Sequence, residues 1–394
     1  MPLVLNHVSG ALSALDLDMV RAVPAGGNWQ NIPISIPSKR LEQIRESGGR
    51  TTYYGRLKWD SPAYTITTYF NRPGNGCNMH PDDEKSEKPQ HRLISFREAA
   101  RLQSFPDNFR FWGPKTSLYN QIGNAVPPLL AYSIAGGIPG SSAVDLFAGC
   151  GGMSLGFEMA GYDVLAGAEL NKHAMQTWAA NHKGTPILGN ITEEETKQRL
   201  YDAVRSKLEG KRLDVIMGGP PCQGFSFAGW RASDDPRNQL WRHYLSIVQE
   251  LNPRWFVIEN VPGLLSMKSE GKSVLQFMAQ AFGEIGYSIN YKLLKAEEYG
   301  VPQKRRRIFI IGNSVDETIT FPTPTIDKPF TVFDAISNLP ALGVSDGKDE
   351  VFISNLPLLS KYQEWCAGKI TAKQLFGGKR KRRQVVNQQA GLFG

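Results

Sequence analysis

Residues 143–152 read Ala-Val-Asp-Leu-Phe-Ala-Gly-Cys-Gly-Gly, a short apolar run that ends in a glycine-rich turn and opens a helical pattern. A buried strand feeding a tight turn and then a helix is the first unit of a parallel α/β sheet. A dinucleotide fingerprint requires a third glycine, at position 154, and Ser154 stands there, so the G-x-G-x-x-G match fails. Gly149, Gly151 and Gly152 still allow a ligand close to the backbone.

The alternation continues downstream, with candidate strands at Ala143–Phe147, Asp163–Ala168, Pro186–Leu188, Asp214–Met217, Trp255–Ile258, Ile289–Leu294 and Ile308–Ile311. Helical patterns lie between them at Lys172–Asn181, Glu193–Leu208, Gln239–Leu251 and Ser273–Phe282. This is an α/β class pattern, a doubly wound Rossmann-like sheet. Lys295–Arg307 holds Gly300 and Pro302 and no helical period, so the last two strands are expected to end the sheet antiparallel.

Upstream, residues 1–90 are rich in Pro, Gly and polar residues, with β-like runs such as Tyr64–Phe70, and are expected to form a second, smaller, irregular β-rich domain. Helical stretches at Phe96–Gln103 and Asn124–Ala135 follow, and Gly136–Ser141 reads as a linker. After residue 320 a Pro-rich stretch, Phe321–Pro324, leaves the sheet for a mixed tail.

The 394 residues, 41% of them hydrophobic, support one large core plus a smaller lobe. No apolar run is long enough to span a bilayer and the N-terminus lacks a signal-peptide pattern, so no membrane role and a cytoplasmic location are expected. Cys77, Cys150, Cys222 and Cys366 are scattered, with no spacing that suits zinc, so neither a disulfide framework nor a metal is indicated. Lys plus Arg number 45 against 37 Asp plus Glu, a net charge of +8 that suits a polyanionic partner. The run Lys379–Arg383 is either a solvated tail or a set of phosphate contacts.

Glu169 closes the second strand about 20 residues beyond the glycines, where a carboxylate accepts both ribose hydroxyls of an adenosine ligand; the alternative is a solvated loop carboxylate. Phe147 either offers a face to adenine or is core. An adenosine-bearing ligand with no obligatory phosphate cradle, opposite a cysteine, suggests S-adenosyl-L-methionine.

That cysteine is Cys222, in Gly-Gly-Pro-Pro-Cys-Gln-Gly-Phe-Ser (218–226), at the end of the Val215–Met217 strand. The prolines fix φ and set the thiol at a defined angle, whereas the bland reading is a small core hydrophobe. Glu259, in Glu259-Asn260-Val261, ends the next strand, and neighbouring strands lie ~4.8 Å apart, so Cys222 and Glu259 are expected side by side at one sheet edge. Thiolate addition at carbon 6 of cytosine turns carbon 5 into an enamine carbon that attacks an electrophilic methyl. A carboxyl that holds its proton and donates to ring nitrogen 3 assists, if burial favours the neutral form. In the extended run Gln303–Arg307, Gln303, Arg305 and Arg307 share a face. The two guanidinium groups suit a base carbonyl and a phosphate, or else form a basic edge. A base inside a duplex must be flipped out to meet these groups.

Taken together these blocks resemble the DNA (cytosine-5) methyltransferases: Asp145–Gly152, Glu169, Gly218–Ser226, Glu259–Val261, Gln303–Arg307, Arg92–Pro106 (RLISFREAARLQSFP) and Asn120–Pro128 (NQIGNAVPP). The resemblance implies Cys222 as covalent nucleophile, Glu259 on the flipped cytosine, and Arg305 with Arg307 supporting the base. It implies cofactor contacts from Phe147, Gly149, Cys150, Gly151, Glu169, Leu170, Asn190, Ile191, Gly219, Pro221 and Asn124. Asn190 departs from the aspartate usual in this block, and its side-chain carbonyl still accepts from an adenine amino group. The implied partner is double-stranded DNA, with the protein working as a monomer beside a cognate restriction endonuclease; an RNA cytosine methyltransferase and an idle DNA-binding regulator are the competing readings.

Block order differs from the family, because RLISFREAARLQSFP and NQIGNAVPP precede the cofactor turn instead of following the catalytic blocks. The chain is expected to be circularly permuted, with residues 137–141 as the joint, 142–320 as the catalytic domain and 91–136 packing on it. Target-recognition elements would then be divided between residues 1–90 and 321–394.

Overall fold

The computed structural model describes residues 3–221, 240–269, 272–353, 356–377 and 384–385. The chain forms two compact units, one of Met1–Ala125, Gly300–Arg305 and Ile326–Gly378, the other of Val126–Tyr299, Arg306–Thr325 and Lys379–Gly394.

The second unit carries the sheet. Its strands are β1 (Ser142–Leu146), β2 (Asp163–Glu169), β3 (Thr185–Leu188), β4 (Val215–Gly218), β5 (Trp255–Asn260), β6 (Ser288–Lys295) and β7 (Arg306–Asn313). They lie in the order β6-β7-β5-β4-β1-β2-β3. The β1 to β5 neighbours are parallel, while β7 runs antiparallel to both β5 and β6, the expected antiparallel end. The order reverses beside β1, so the turns after β1 and β4 open at the switch point where α/β sheets bind ligands.

The helices are α1 (Pro128–Ala135), α2 (Gly152–Met159), α3 (Lys172–Asn181), α4 (Glu194–Leu208), α5 (Leu240–Leu251) and α6 (Val274–Glu284). Val144, Leu146, Ile216, Phe256, Ile258, Ile308 and Ile310 of the strands pack in one core with Leu200, Val204, Ile247, Val248 and Phe282 of the helices. Strands covered by helices read as continuous apolar runs, which is why the sequence pattern was unambiguous here. Gly156 lets α2 lie against α1, since a Cβ there would stand 2.4 Å from the Ala131 Cβ.

The expected helix Asn124–Ala135 begins four residues later, at Pro128, and a separate helix precedes it. One helix, Lys115–Asn124, stops before Pro127-Pro128 and α1 begins at Pro128. Proline lacks the N–H and drives its preceding residue out of helical φ/ψ. The unit boundary after Ala125 therefore divides the 91–136 segment.

The first unit is not β-rich among its described residues. It holds two short ladders, Leu3–Val8 with Gly347–Phe352 and Gly55–Arg56 with Cys77–Met79. More of it is helical, including Ala14–Ala22 capped by Ser13 and Lys39–Ser47 capped by Ser38. Tyr64–Phe70 is not a strand: Ala63 makes a lone bridge to Gln303, and the Ile66 amide is taken by the Gln303 side chain at 2.9 Å.

The helix Phe96–Leu102 is this unit's hub. Arg97 donates to the carbonyls of Leu5, Pro106 and Phe109 at 2.7, 2.8 and 2.6 Å. Arg101 forks onto Asp107 at 2.8 Å through both nitrogens and reaches the Ala335 carbonyl at 2.9 Å and Asn338 at 2.7 Å. Arg92 forks onto Glu98 at 2.7 and 2.8 Å and bonds the Leu342 carbonyl at 3.1 Å. Early and late stretches of the chain are thus bonded to one helix and the loops beside it.

Candidate active site

Chain direction reverses sharply after β1. Phe147, Gly149 and Gly151 all take left-handed backbone angles, with φ of 57°, 56° and 96°. A phenylalanine there is strained, as functional turns often are. A Cβ added at Gly149 would meet nothing within 4 Å, so the turn is open at that point.

Glu169 Oε2 accepts the Gly149 amide at 2.9 Å and Oε1 accepts the Asn171 amide at 2.7 Å. Each oxygen keeps a lone pair for a ribose hydroxyl, and Leu170 beside it is 68% exposed. The Gly189 amide bonds the Glu169 carbonyl at 3.1 Å, which brings Asn190 to this edge; its Oδ1 accepts from Thr192 at 3.1 Å. Ile191 is buried, and Phe147 packs partly buried against the sheet core. Cys150 is buried. Phe147, Gly149, Gly151, Glu169, Leu170, Asn190 and Ile191 therefore cluster at the carboxyl ends of β1, β2 and β3. Open glycine backbone, a positioned carboxylate and an exposed apolar side chain are a donor and acceptor set that fits an adenosine-bearing molecule. Asn124 belongs to the other unit, exposed at the end of the helix Lys115–Asn124.

The second cluster stands where β4 and β5 end and β7 begins. Glu259 Oε1 pairs with Arg307 Nε at 2.7 Å, both side chains being largely buried. A Cβ built on Gly219 would lie 3.2 Å from Glu259 Oε2, so that glycine leaves room for the carboxylate. Asn260 Nδ2 donates to the Pro220 carbonyl at 3.1 Å, tying β5 to the turn that follows β4. Pro221 is exposed. Cys222 lies outside the described residues, as do the rest of 222–239 and the basic run Lys379–Arg383.

Arg305 corrects the expectation of two guanidinium groups offered to a ligand. It shares the inward face with Gln303, as the alternation implied, yet it is fully buried and donates to the carbonyls of Ile66 and Gly123 at 3.1 and 3.0 Å. Those bonds make it a tie within the first unit. Arg307 meets the Glu259 carboxylate.

Burial also sorts the thiols. It pushes Cys77 and Cys150 up to about 12 and raises Cys366 likewise, so these three are neutral and inert near pH 7. No group of His, Cys, Asp and Glu among the described residues is arranged to hold a metal, and no helix among them is long and apolar enough to cross a membrane.

Two features escaped the sequence reading. The Tyr244 hydroxyl, fully buried, lies 3.0 Å from the Ile216 carbonyl and 3.1 Å from that of Val257, clamping β4 to β5. Asp145 is buried beneath the cofactor turn, which pushes its carboxyl up to about 7, with Glu169 and Glu158 adding to the effect against hydrogen bonds from Ser154. The misplaced Ser154 in the glycine fingerprint was the available signal for the second.

The profile of the family described as C-5 cytosine-specific DNA methylase matches residues 21–139 and 141–382. The Type II methyltransferase M.DdeI of Desulfomicrobium norvegicum is 39% identical over 230 residues, 56% of this chain and 53% of that protein. M1.HphI of Haemophilus parahaemolyticus, also a Type II methyltransferase, is 38% identical over 52% of this chain and 54% of its own length. M.AquIA of Picosynechococcus is 39% identical over 50% of this chain and 88% of its own length. The chain spans about half the length of the first two relatives. Among solved structures, the S. pombe Dnmt2 methyltransferase has a TM-score of 0.37 at 21% identity, over 45% of this chain and 52% of that one.

Proposed function

Since the chain belongs to the C-5 cytosine-specific DNA methylase family, we propose that it methylates carbon 5 of a cytosine flipped out of duplex DNA at a specific site, with Cys222 as covalent nucleophile and S-adenosyl-L-methionine as methyl donor. The observation that carries this reading is Glu259, paired with Arg307 and standing against Gly219, three residues before Cys222.

The Cys222 thiolate adds to carbon 6, and Glu259, taking up a proton from solvent as the base enters, donates it at Oε2 to ring nitrogen 3 while Oε1 stays on Arg307, which offsets the charge that builds there. Carbon 5 then forms its new bond to the methyl group. Loss of the carbon 5 proton and elimination of the thiolate restore the aromatic ring and the free cysteine. The bound cofactor supplies an electrophilic methyl on a sulfonium; Glu169 would hold its ribose, Phe147 and Leu170 its adenine, and the Gly149–Gly151 backbone its remaining chain. Arg307 keeps the carboxylate in place and adds positive charge near the base.

The likeness to Type II methyltransferases supports a modification enzyme working beside a cognate endonuclease, and we propose that it works as a monomer. The break between the two matched segments falls at residue 140, inside the 137–141 joint, which supports the permuted reading.

Labelled S-adenosyl-L-methionine incubated with duplex DNA or tRNA, beside Cys222→Ala, tests the proposal. Label on DNA, absent from the variant, is expected. Label on tRNA alone would overturn the substrate, and equal label with Cys222→Ala the mechanism. A duplex carrying 5-fluorocytosine is expected to trap a covalent complex, since elimination requires the carbon 5 proton.

A further inference from the structure

Ser154 occupies the place of the missing glycine, and its side chain bridges two neighbours. The hydroxyl donates to Asp145 Oδ2 at 2.6 Å and accepts from Trp178 Nε1 at 2.9 Å. Asp145 belongs to β1, Ser154 to α2 and Trp178 to α3, and all three are buried. This polar chain ties together the elements on either side of the cofactor turn.

Trp178 is fitted to that turn as closely as its hydrogen bond is. Cβ atoms added at Gly151, Gly167 and Gly184 would come within 2.9, 2.4 and 2.8 Å of its ring. Gly151 is the left-handed residue that ends the turn, and a Cβ there would also stand 2.0 Å from His182 Nε2. His182 in turn is fixed through Nδ1 to Glu158 Oε2 at 2.9 Å. Gly167 lies on β2 two residues before Glu169, so the indole braces the strand that carries the carboxylate as well as the glycine turn.

We propose that Ser154 is a positioning residue for the cofactor: by linking Asp145 to Trp178 it sets the spacing of β1, α2 and α3, and so holds Gly149 and Gly151 in register with Glu169. An apolar trio would fill the same volume without the desolvation of a carboxyl, so the polar chain is a poor choice for stability alone. A directional bond from α2 to both neighbours fixes a distance that apolar packing leaves free to adjust.

The inference rests on the S-adenosyl-L-methionine reading, and binding to the full chain separates the two. Affinity for S-adenosyl-L-methionine and for S-adenosyl-L-homocysteine is measured by calorimetry on wild type, Ser154→Ala, Trp178→Phe and the double variant. The temperature is one at which urea titration shows each of them folded. Ser154→Ala and Trp178→Phe are each expected to weaken both ligands ~10-fold, about the worth of one hydrogen bond to a buried charged or polar partner. The double variant is expected to lose little more than either single one, because the link is already cut. Duplex DNA affinity serves as control and is expected to hold. Ser154→Ala within twofold of wild type, additive losses in the double variant, or an equal loss of DNA affinity would each overturn the positioning role while leaving the cofactor reading intact. A wild-type chain that binds neither ligand would remove the cofactor reading itself, and this inference with it.

Discussion

Arg307 Nε lies 2.7 Å from Glu259 Oε1, joining the start of β7 to the end of β5 at the edge where the turn toward Cys222 begins. The pair is largely buried, so each partner holds a group that would otherwise sit desolvated and unpaired. Glu259→Gln keeps the shape and removes the proton donor, and is expected to slow single-turnover methyl transfer by about 10²–10⁴-fold. Arg307→Ala is expected to fall in the same range, with Arg307→Lys intermediate, because a point charge cannot reproduce the planar fork. The double variant should be no slower than the worse single one. An Arg307→Ala enzyme at the wild-type rate would break the functional link between the two residues.

The three described thiols are buried and held protonated, which predicts a selective chemical signature. Iodoacetamide at pH 7.5 on the folded protein is expected to leave Cys77, Cys150 and Cys366 unmodified and to label the peptide containing Cys222. Peptide mass spectrometry reads the outcome directly. Urea should expose all four cysteines to the reagent. Modification of Cys150 in the folded protein at the rate of Cys222 would contradict the burial of the cofactor turn.

Parallel strands covered by helices leave a strong trace, and all seven sheet strands were legible, as were the helices that follow β2, β3, β4 and β5, to within two residues. Arg305 and Arg307 show where such reading stops. Alternation put both on one face and left a ligand or an exposed basic edge open, because the local sequence holds nothing about what each side chain meets: the Ile66 and Gly123 carbonyls for Arg305, the Glu259 carboxylate for Arg307. The net positive charge carries the same ambiguity. Arg56, Arg92, Arg97, Arg101 and Arg305 are all buried and bonded internally, so part of the basic excess that suggested a polyanionic partner is spent within the fold. Tyr64–Phe70 has a strand's composition, yet Gln303 answers the Ile66 amide with its side chain, a choice made over more than 200 residues of sequence separation.

Arg101 bonds both to its own neighbourhood and to the distant Ala335 and Asn338. Its bonds to Asp107, Ala335 and Asn338 engage four of its five N–H donors, and the side chain is fully buried. Arg101→Ala strands the Asp107 carboxylate and empties a large volume, and is expected to cost about 3–5 kcal/mol. The loss should appear as a lower urea midpoint. A change under about 1 kcal/mol would mean that solvent reaches this site and replaces the lost bonds.

Asp145 sets a pH dependence of definite sign. Burial raises its carboxyl to about 7 in the folded state against ~3.9 in the unfolded chain, so folding takes up a proton between those values. Its favourable contribution is complete below about pH 4 and is lost as pH rises toward 7, at a slope of up to ~1.4 kcal/mol per pH unit. His80 works in the opposite direction: burial, reinforced by Arg92, lowers it to about 3, so its contribution is complete above ~6.5 and is lost on acidification. The two slopes oppose each other across the same window, and His7, His91 and His243, each lowered by burial, add to the His80 side. Asp145→Asn removes one side of the balance. Its stability relative to wild type should rise steadily from pH 4 to pH 7 and level off beyond, measured by urea midpoints at intervals of half a pH unit. A difference that stays constant across that range would show that Asp145 ionises in the folded protein as it does in the unfolded chain.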